Sequence, residues 1–383
     1  MEYKFQPGIL DTSGYMREVN EQTRRKINLC SNNHFKYLIS LFKDMEYVVD
    51  HVMITPTMRC NYMCRHCGWS CEPGTGDDIS LEKIKEYINQ LPELKTERFG
   101  ITGGEPTLYD NIDEIILHAG NVRCQTGYPK FIYMNTNASW IRDEESTSIK
   151  LKEWKRLGLD ELRASYDEYH REFTPDSKIQ ILRGLTATNG IPEICILKGT
   201  DFIPVGRARN NIPREKWQDP PHECKISDMV LRDSCPEIYE RFLQIFPDGI
   251  YVCDYRVGHL GHGKISDLVV KAMENPILKI IGGLSVKRTL ELIHDKIPSD
   301  MQMKARTLHE CTLCCELFQD EKILGIVESE SAQLLDHVEK LNEESKRQME
   351  EARAYDAKPI EEMIAHLKSL GIDISIAPGK NSL

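Results

Sequence analysis

Three cysteines on one short loop, Cys60-Asn-Tyr-Met-Cys64-Arg-His-Cys67, have a C-x3-C-x2-C spacing. Thiolates so placed can ligate three irons of a [4Fe–4S] cube and leave the fourth iron without a protein ligand. An open iron lets a small molecule coordinate, whereas four-cysteine spacing would suggest a closed electron-transfer site. Structural zinc is the rival; it normally takes four ligands in paired spacings, and His66 or Cys71 would have to supply the fourth. A second set lies downstream: Cys235, Cys253, Cys311 and Cys314, with Phe246-Pro-Asp-Gly-Ile-Tyr-Val-Cys253 among them. These four can fully ligate another [4Fe–4S] cluster, or a zinc ion, and the Pro-Asp-Gly turn puts Cys253 on a hairpin. Because Cys315 follows Cys314 directly, the last ligand could shift by one.

The elements that position these residues follow from periodicity. From about residue 50 to 205, β-rich runs alternate with helical patterns, the mark of repeated βα units on a parallel sheet. The runs are His51 to Thr55, Arg98 to Thr102, Phe131 to Asn135, Glu161 to Ser165 and Ile194 to Lys198. A helix begins at the N-cap Ser80 and carries Leu81, Ile84, Ile88 and Leu91 on one face. Others are expected over Asp113 to His118, Ser148 to Leu157 and Ser177 to Thr188. Chemistry on such a sheet belongs where the strands end and the βα loops converge, and the first cysteine loop stands there. A Pro-rich stretch, Ile212 to His222, reads as a linker to a second unit ending near residue 320. A charge-rich tail follows, helical over Glu328 to Arg353 and Ile360 to Leu370, and reads as an appendage packed on the core or a partner.

Composition narrows the class. The 383 residues include thirteen cysteines, which in a cytosolic chain of this size do not form a disulfide framework and are better read as metal ligands. Cys30, Cys124, Cys195 and Cys224 stand alone and read as small buried hydrophobes. A net charge of -11 argues against a nucleic-acid partner. No apolar run approaches the roughly 20 residues that span a bilayer, so no membrane partner is expected. The start, MEYKFQPGIL, lacks the features of a secretion signal, which leaves the cytoplasm by default.

At the end of the second expected strand stands Gly103-Gly104-Glu105-Pro106. With the C-x3-C-x2-C loop after the first, it resembles the radical S-adenosylmethionine (radical SAM) superfamily. Three further segments resemble that family in order: Thr136-Asn137, with Ala138 where glycine is usual; Ser165-Tyr166-Asp167; and Pro204-Val205-Gly206-Arg207-Ala208. His66 departs from the pattern, since Tyr or Phe usually precedes the last cysteine. The resemblance implies an α/β fold: a partial (β/α)6 barrel over residues 50–210, after an N-terminal extension, 1–49. It implies a [4Fe–4S] cluster on Cys60, Cys64 and Cys67 that binds S-adenosylmethionine (SAM) through its open iron. Reductive cleavage of SAM, fed by a flavodoxin- or ferredoxin-type reductant, then gives a 5′-deoxyadenosyl radical that takes a hydrogen atom from the substrate. The cofactor-binding residues it points to are Gly103, Gly104, Glu105, Pro106, Asn137, Ser165, Asp167 and Arg207. Here Glu105 and the backbone offer acceptors to the methionine ammonium, and the glycines let backbone approach the ligand.

The second cysteine set resembles the Twitch domain, the shortened form of the SPASM extension. This implies a small α+β unit over residues 211–320 with one auxiliary [4Fe–4S] cluster on Cys235, Cys253, Cys311 and Cys314, then a helical tail, 321–383. Relatives of that kind oxidise or epimerise small polar natural-product intermediates, or modify ribosomally made peptides. The short segment before the first strand tilts the reading toward a small substrate, with a peptide maturase as the alternative and a non-catalytic redox sensor as a third class. Cys71 and Cys315 are the thiols expected to return a hydrogen atom if the reaction is an epimerisation.

Overall fold

The computed structural model describes residues 48–199, 202–217, 224–231, 241–344 and 347. Most of the expected N-terminal extension, the second tail helix and Cys235 therefore lie outside the described residues. Eight strands form one sheet in the order β5-β4-β3-β2-β1-β6-β7-β8. They are β1 (His51–Ile54), β2 (Arg98–Ile101), β3 (Phe131–Thr136), β4 (Glu161–Ser165), β5 (Glu193–Leu197), β6 (Phe242–Phe246), β7 (Gly249–Cys253) and β8 (Val257–Gly261). The first five are the expected runs, shifted by at most one residue at their ends.

Six of the eight strands are parallel, as a partial six-stranded barrel requires, but the sixth in sequence pairs with β1 rather than β5, His51 opposite Phe242 and Ile54 opposite Ile245. β1 is thereby hydrogen-bonded on both sides, and its side chains read as a near-continuous apolar run, as a strand covered on both faces should. β7 and β8 complete the sheet as antiparallel neighbours, and the expected hairpin at Pro-Asp-Gly is the β6–β7 turn. A boundary drawn at residue 210 thus falls between strands of one sheet.

Helices cover the sheet. α1 (Leu81–Ile88) starts where Ser80 accepts a bond from the Lys83 N–H and buries Ile84, Tyr87 and Ile88. It ends earlier than the apolar spacing suggests; Leu91 lies in the turns beyond it and is still fully buried. α2 (Ile112–Thr126), α3 (Glu144–Leu157) and α4 (Asp176–Leu185) are the other core crossovers, and α2 is much longer than the sequence pattern indicated. Arg123 in its last turn bonds the Gly158 carbonyl at 2.8 Å and pairs with Asp160, contacts with a distant loop that periodicity does not register.

The Pro-rich segment is not a free linker in its described part. Ile212 is buried beside Phe202, and Trp217 bridges back to Phe202 and bonds the Ile212 carbonyl at 2.9 Å. Beyond it, the helices are α5 (Ala208–Asn211), α6 (Lys225–Leu231), α7 (Ile265–Glu274), α8 (Pro276–Leu284), α9 (Val286–Leu292), α10 (Ser299–Thr307), α11 (Glu310–Gln319) and α12 (Glu321–Ser329). The tail is packed on this body through residues 331–344, where Leu334 and Val338 are buried. Among the described residues, no helix is long and apolar enough to cross a membrane.

Candidate active site

The cysteine loop leaves the carboxyl end of β1 and folds over a cavity of about 270 Å³. Cys60, Cys64 and Cys67 line it together with Gly103, Gly104, Glu105, Pro106, Asn137 and Ser165, contributed where strands end, and with Arg207 at the start of α5. Burial pushes the Cys60 thiol up to about 11 and Cys64 up to about 12, while a bond from the Cys71 thiol holds Cys67 down at about 6 and drives Cys71 itself far up. The buried Cys60 and Cys64 thiols disfavour carrying charge unless a cation lies among them, so the donor set suits a metal centre. Tetrahedral zinc with Zn–S bonds near 2.3 Å would bring its sulfurs roughly 3.8 Å apart. Among the described residues, only His66, Asp167 and His170 put three ligand atoms within 4.8 Å of one another. No three of the loop's sulfurs lie that close to one another.

The two glycines serve the loop. A Cβ on Gly104 would stand 2.1 Å from the Arg59 carbonyl oxygen, and one on Gly103, at φ +153°, would stand 2.6 Å from that of Thr57. Only glycines let this turn run against the root of the cysteine loop, where Gly104 N–H and Glu105 N–H donate to the Thr57 and Arg59 carbonyls. Glu105 is fully buried. Its Oε1 accepts from the Thr107 N–H, the Thr107 hydroxyl and the Thr136 hydroxyl, and its Oε2 from the Asn137 N–H at 2.7 Å. Burial raises its carboxyl despite those bonds. Glu105 therefore ties the β2 turn to the end of β3, a strut rather than the free acceptor the sequence suggested. Asn137 extends the tie, donating to Asn61 Oδ1 at 2.9 Å within the loop. Ala138 is buried at φ +60°, which accounts for the glycine usual at that place.

Arg207 fastens the other side. Its Nε donates to the Cys64 carbonyl at 3.0 Å, its Nη2 to the Cys71 carbonyl, and its backbone N–H to the Cys67 carbonyl. Its Nη1 is buried without a hydrogen-bond partner, as are Asn135 Oδ1 and His66 Nδ1. A donor and two acceptors are thus left over around a cavity lined by all three residues, the pattern an amino-acid-bearing ligand such as SAM would satisfy.

Residues 54–201 match the family model of the radical SAM superfamily. This chain carries a radical SAM domain. The superfamily implies a [4Fe–4S] cluster and SAM, and the donor set and leftover polar atoms fit both. The chain is 31% identical over 154 residues to a probable GTP 3′,8-cyclase of Archaeoglobus fulgidus, covering 39% of this chain and 45% of that one. It is 29% identical over 131 residues to a putative peptide biosynthesis protein, YydG, of Bacillus subtilis, 34% of this chain and 39% of that one. It spans less than two thirds of the length of these relatives. Among solved structures, BtrN in complex with AdoMet and 2-DOIA is similar over 62% of this chain and 89% of its own, at 15% identity and a TM-score of 0.40, too shallow a likeness to bear on function.

In this radical SAM domain His66 keeps an aromatic surface. Its ring stacks on Tyr169 at 5.1 Å and meets Phe202 edge-on at 5.1 Å. Burial lowers its pKa to about 4, so the imidazole is neutral at neutral pH. Asp167 does not line the cavity; its Oδ2 accepts from His170 Nδ1 at 2.6 Å and from His66 Nε2 at 3.3 Å. Burial works against its charge, but these bonds outweigh it and hold the carboxyl below its usual range. The close approach of the three groups is thus accounted for by hydrogen bonds.

A second cavity, of about 140 Å³, is lined by Cys253, Cys311 and Cys314 and also by Cys224, which the sequence had set aside as a lone hydrophobe. Burial drives the Cys253 and Cys314 thiols far up and Cys311 to about 12, with neighbouring sulfurs adding to each. Cys71 lines the first cavity beside Cys67. Cys315 lines neither; one step around α11 from Cys314, its thiol turns to the Tyr255 carbonyl at 3.8 Å, so the expected hydrogen donor does not face the first cavity. Sequence reasoning missed Tyr255 and Trp69, which close the first cavity from the β7 side; Trp69 Nε1 donates to the Asp254 carbonyl at 2.6 Å. An aromatic two residues past Cys253 and another two past Cys67 were the only signals available.

Proposed function

We propose that this chain is a radical SAM enzyme that oxidises or epimerises a small polar substrate, with an auxiliary [4Fe–4S] cluster at the second cavity. The observation that carries this reading is Tyr255, whose side lines both cavities, so that one residue separates the SAM site from a second set of buried thiols. When bound, the cluster and SAM supply reductive cleavage to a 5′-deoxyadenosyl radical that removes a hydrogen atom from the substrate. Cys60, Cys64 and Cys67 hold three irons, and Arg207 and Asn137 keep their loop in place. Gly103 to Pro106, Asn137 and Ser165 form the wall against which SAM lies. In an oxidation the thiols around the second cavity hold the acceptor for the electron left on the substrate. In an epimerisation the Cys71 thiol, which lines the first cavity, would return a hydrogen atom to the opposite face, and the thiyl radical left on its sulfur would be restored to a thiol by one electron from the reductant and a proton. Electrons enter from a flavodoxin- or ferredoxin-type partner.

A peptide maturase is the second reading, favoured by the likeness to YydG. Anaerobic reconstitution with iron and sulfide tests the common ground. Wild type is expected to hold about eight irons, and a Cys60/Cys64/Cys67→Ala variant about four. With dithionite and SAM, only wild type should release 5′-deoxyadenosine. Zinc in place of iron, or iron without SAM cleavage, would sink the proposal. Stoichiometric 5′-deoxyadenosine dependent on a short precursor peptide, and not on sugars or aminocyclitols, would decide for the maturase.

A further inference from the structure

The loop that carries the first three cysteines is a single layer of chain. Tyr62 and Cys64 turn inward and are buried, whereas Asn61, Met63 and Arg65, alternating with them, are exposed. The inner side faces the first cavity, so an electron arriving from another molecule has its shortest way in across the outer side. Two features mark that side. The first is apolar. Met63, next to Cys64 in the chain, is 52% exposed, and Phe173, 37% exposed, stacks at 5.1 Å on Tyr62, which lines the first cavity. Of the six large apolar side chains exposed among the described residues, two thus flank one ring of the cysteine loop.

The second feature is charge. Arg65 is paired with Glu172, the residue before Phe173. Arg171, whose guanidinium lies 4.8 Å over the Tyr166 ring, and Arg183 of α4 are both exposed and share a cleft of about 100 Å³. Among the described residues neither guanidinium has a carboxylate or carbonyl bonded to it; Asp176, in the same cleft, accepts from the Tyr166 hydroxyl instead. Three arginines here stand against Glu172 and Asp176, which leaves this surface positive on a chain whose net charge is -11.

We propose that the outer face of the cysteine loop, Met63 and Phe173 with Arg171 and Arg183 beside them, is the docking surface for an acidic one-electron carrier protein of the flavodoxin or ferredoxin type. This rests on the reading of the chain as a radical SAM enzyme fed by a protein reductant. Electron-transfer encounters use small interfaces, and an apolar spot of a few side chains suits a partner that must leave after each transfer. The guanidinium groups act on the approach, steering an acidic partner and raising its on-rate. The rest of an acidic chain repels the same partner and so confines it to this face. In the encounter the carrier loses one electron, the cluster behind the loop gains it, and no covalent bond forms or breaks.

The test follows reduction of the reconstituted, cluster-loaded full chain by stopped-flow absorbance, with two donors. One is flavodoxin hydroquinone; the other is photoreduced deazaflavin, a small neutral donor that needs no docking surface. Arg171→Glu/Arg183→Glu should slow the flavodoxin reaction about tenfold at low salt and leave the deazaflavin reaction at the wild-type rate. Arg171→Lys/Arg183→Lys, which keeps the charge, should stay close to wild type with both. Met63→Ser should slow flavodoxin at high salt as well, where the charges are screened. Equal slowing with both donors would place the effect at the cluster and overturn the proposal, as would unchanged flavodoxin rates in the Glu and Ser variants. Should the charge-reversed variant fail to fold or load iron, wild type alone decides: its flavodoxin rate must fall as salt rises, and a flat or rising rate overturns the surface. Reduction of wild type by deazaflavin but by neither flavodoxin nor ferredoxin also overturns it. A cluster that deazaflavin reduces without release of 5′-deoxyadenosine from SAM is a separate failure, that of the radical SAM reading itself.

Discussion

Individual side chains do more positioning at this site than the motifs suggest. Glu105 is the clearest case, a carboxylate with no exposed surface that accepts bonds from three residues. Glu105→Gln presents N–H groups to donors that have nothing else to bond. We expect it to destabilise the domain by about 3 kcal/mol, the order of a lost buried charged hydrogen-bond set. Thermal unfolding of the iron-free protein should show this, with cluster retention falling in parallel; an unchanged midpoint would return Glu105 to direct ligand contact. The cysteine loop and the Gly-Gly-Glu-Pro turn were legible in the sequence because each is contiguous. What the turn is for was not: its glycines face Thr57 and Arg59, residues that approach only once β1 and β2 pair. Arg207 was legible as part of a family segment, but its hold on the Cys64 and Cys71 carbonyls depends on a chain reversal that no local spacing encodes.

At the level of elements, the join between the core and α11 is made by Glu316, which pairs with Arg209 of α5 and with Lys304 of α10 at 2.8 Å. Burial opposes its charge, but the two cations outweigh it and hold the carboxyl below the usual range. A depressed folded pKa means that the unfolded chain binds the proton more tightly, so the contribution is present at neutral pH and lost as pH falls through the carboxylate range. Glu316→Gln should cost about 1 kcal/mol at pH 7, a modest figure because both cations are partly solvated. In urea unfolding the gap between variant and wild type should close below about pH 4; a pH-independent gap would mean packing, not charge. The five core strands and their helices were legible because their periods of two and 3.6 are local. α2 was underestimated because its last turn is fastened by Arg123 to the Gly158 carbonyl and Asp160, in the loop before β4, rather than by further apolar residues.

For the whole molecule, the decisive feature is that β6 continues the sheet beside β1. The sequence showed two cysteine sets and suggested two units, yet nothing in the local pattern of Phe242 to Phe246 tells which edge it joins. A fragment of residues 1–210 therefore has β1 stripped of one partner, and an apolar strand buried on both faces becomes an open edge. We expect that fragment to aggregate or to lack a cooperative unfolding transition by circular dichroism and size exclusion, where the full chain is well behaved. A monomeric, cooperatively unfolding fragment would show that the β6 pairing is dispensable.

That pairing also sets an order of events during synthesis. The loop bearing Cys60, Cys64 and Cys67 leaves the ribosome early, but the strand that secures its root on the far side comes only after β5 and α6 have been made. The thiols of the second cavity wait longer still, until α11 has emerged. A nascent chain thus exposes the three sulfurs of its first loop while nearly half of its length is translated, whereas the sulfurs lining the second cavity come together only as the chain nears completion, so the two places are assembled at different times by the fold itself.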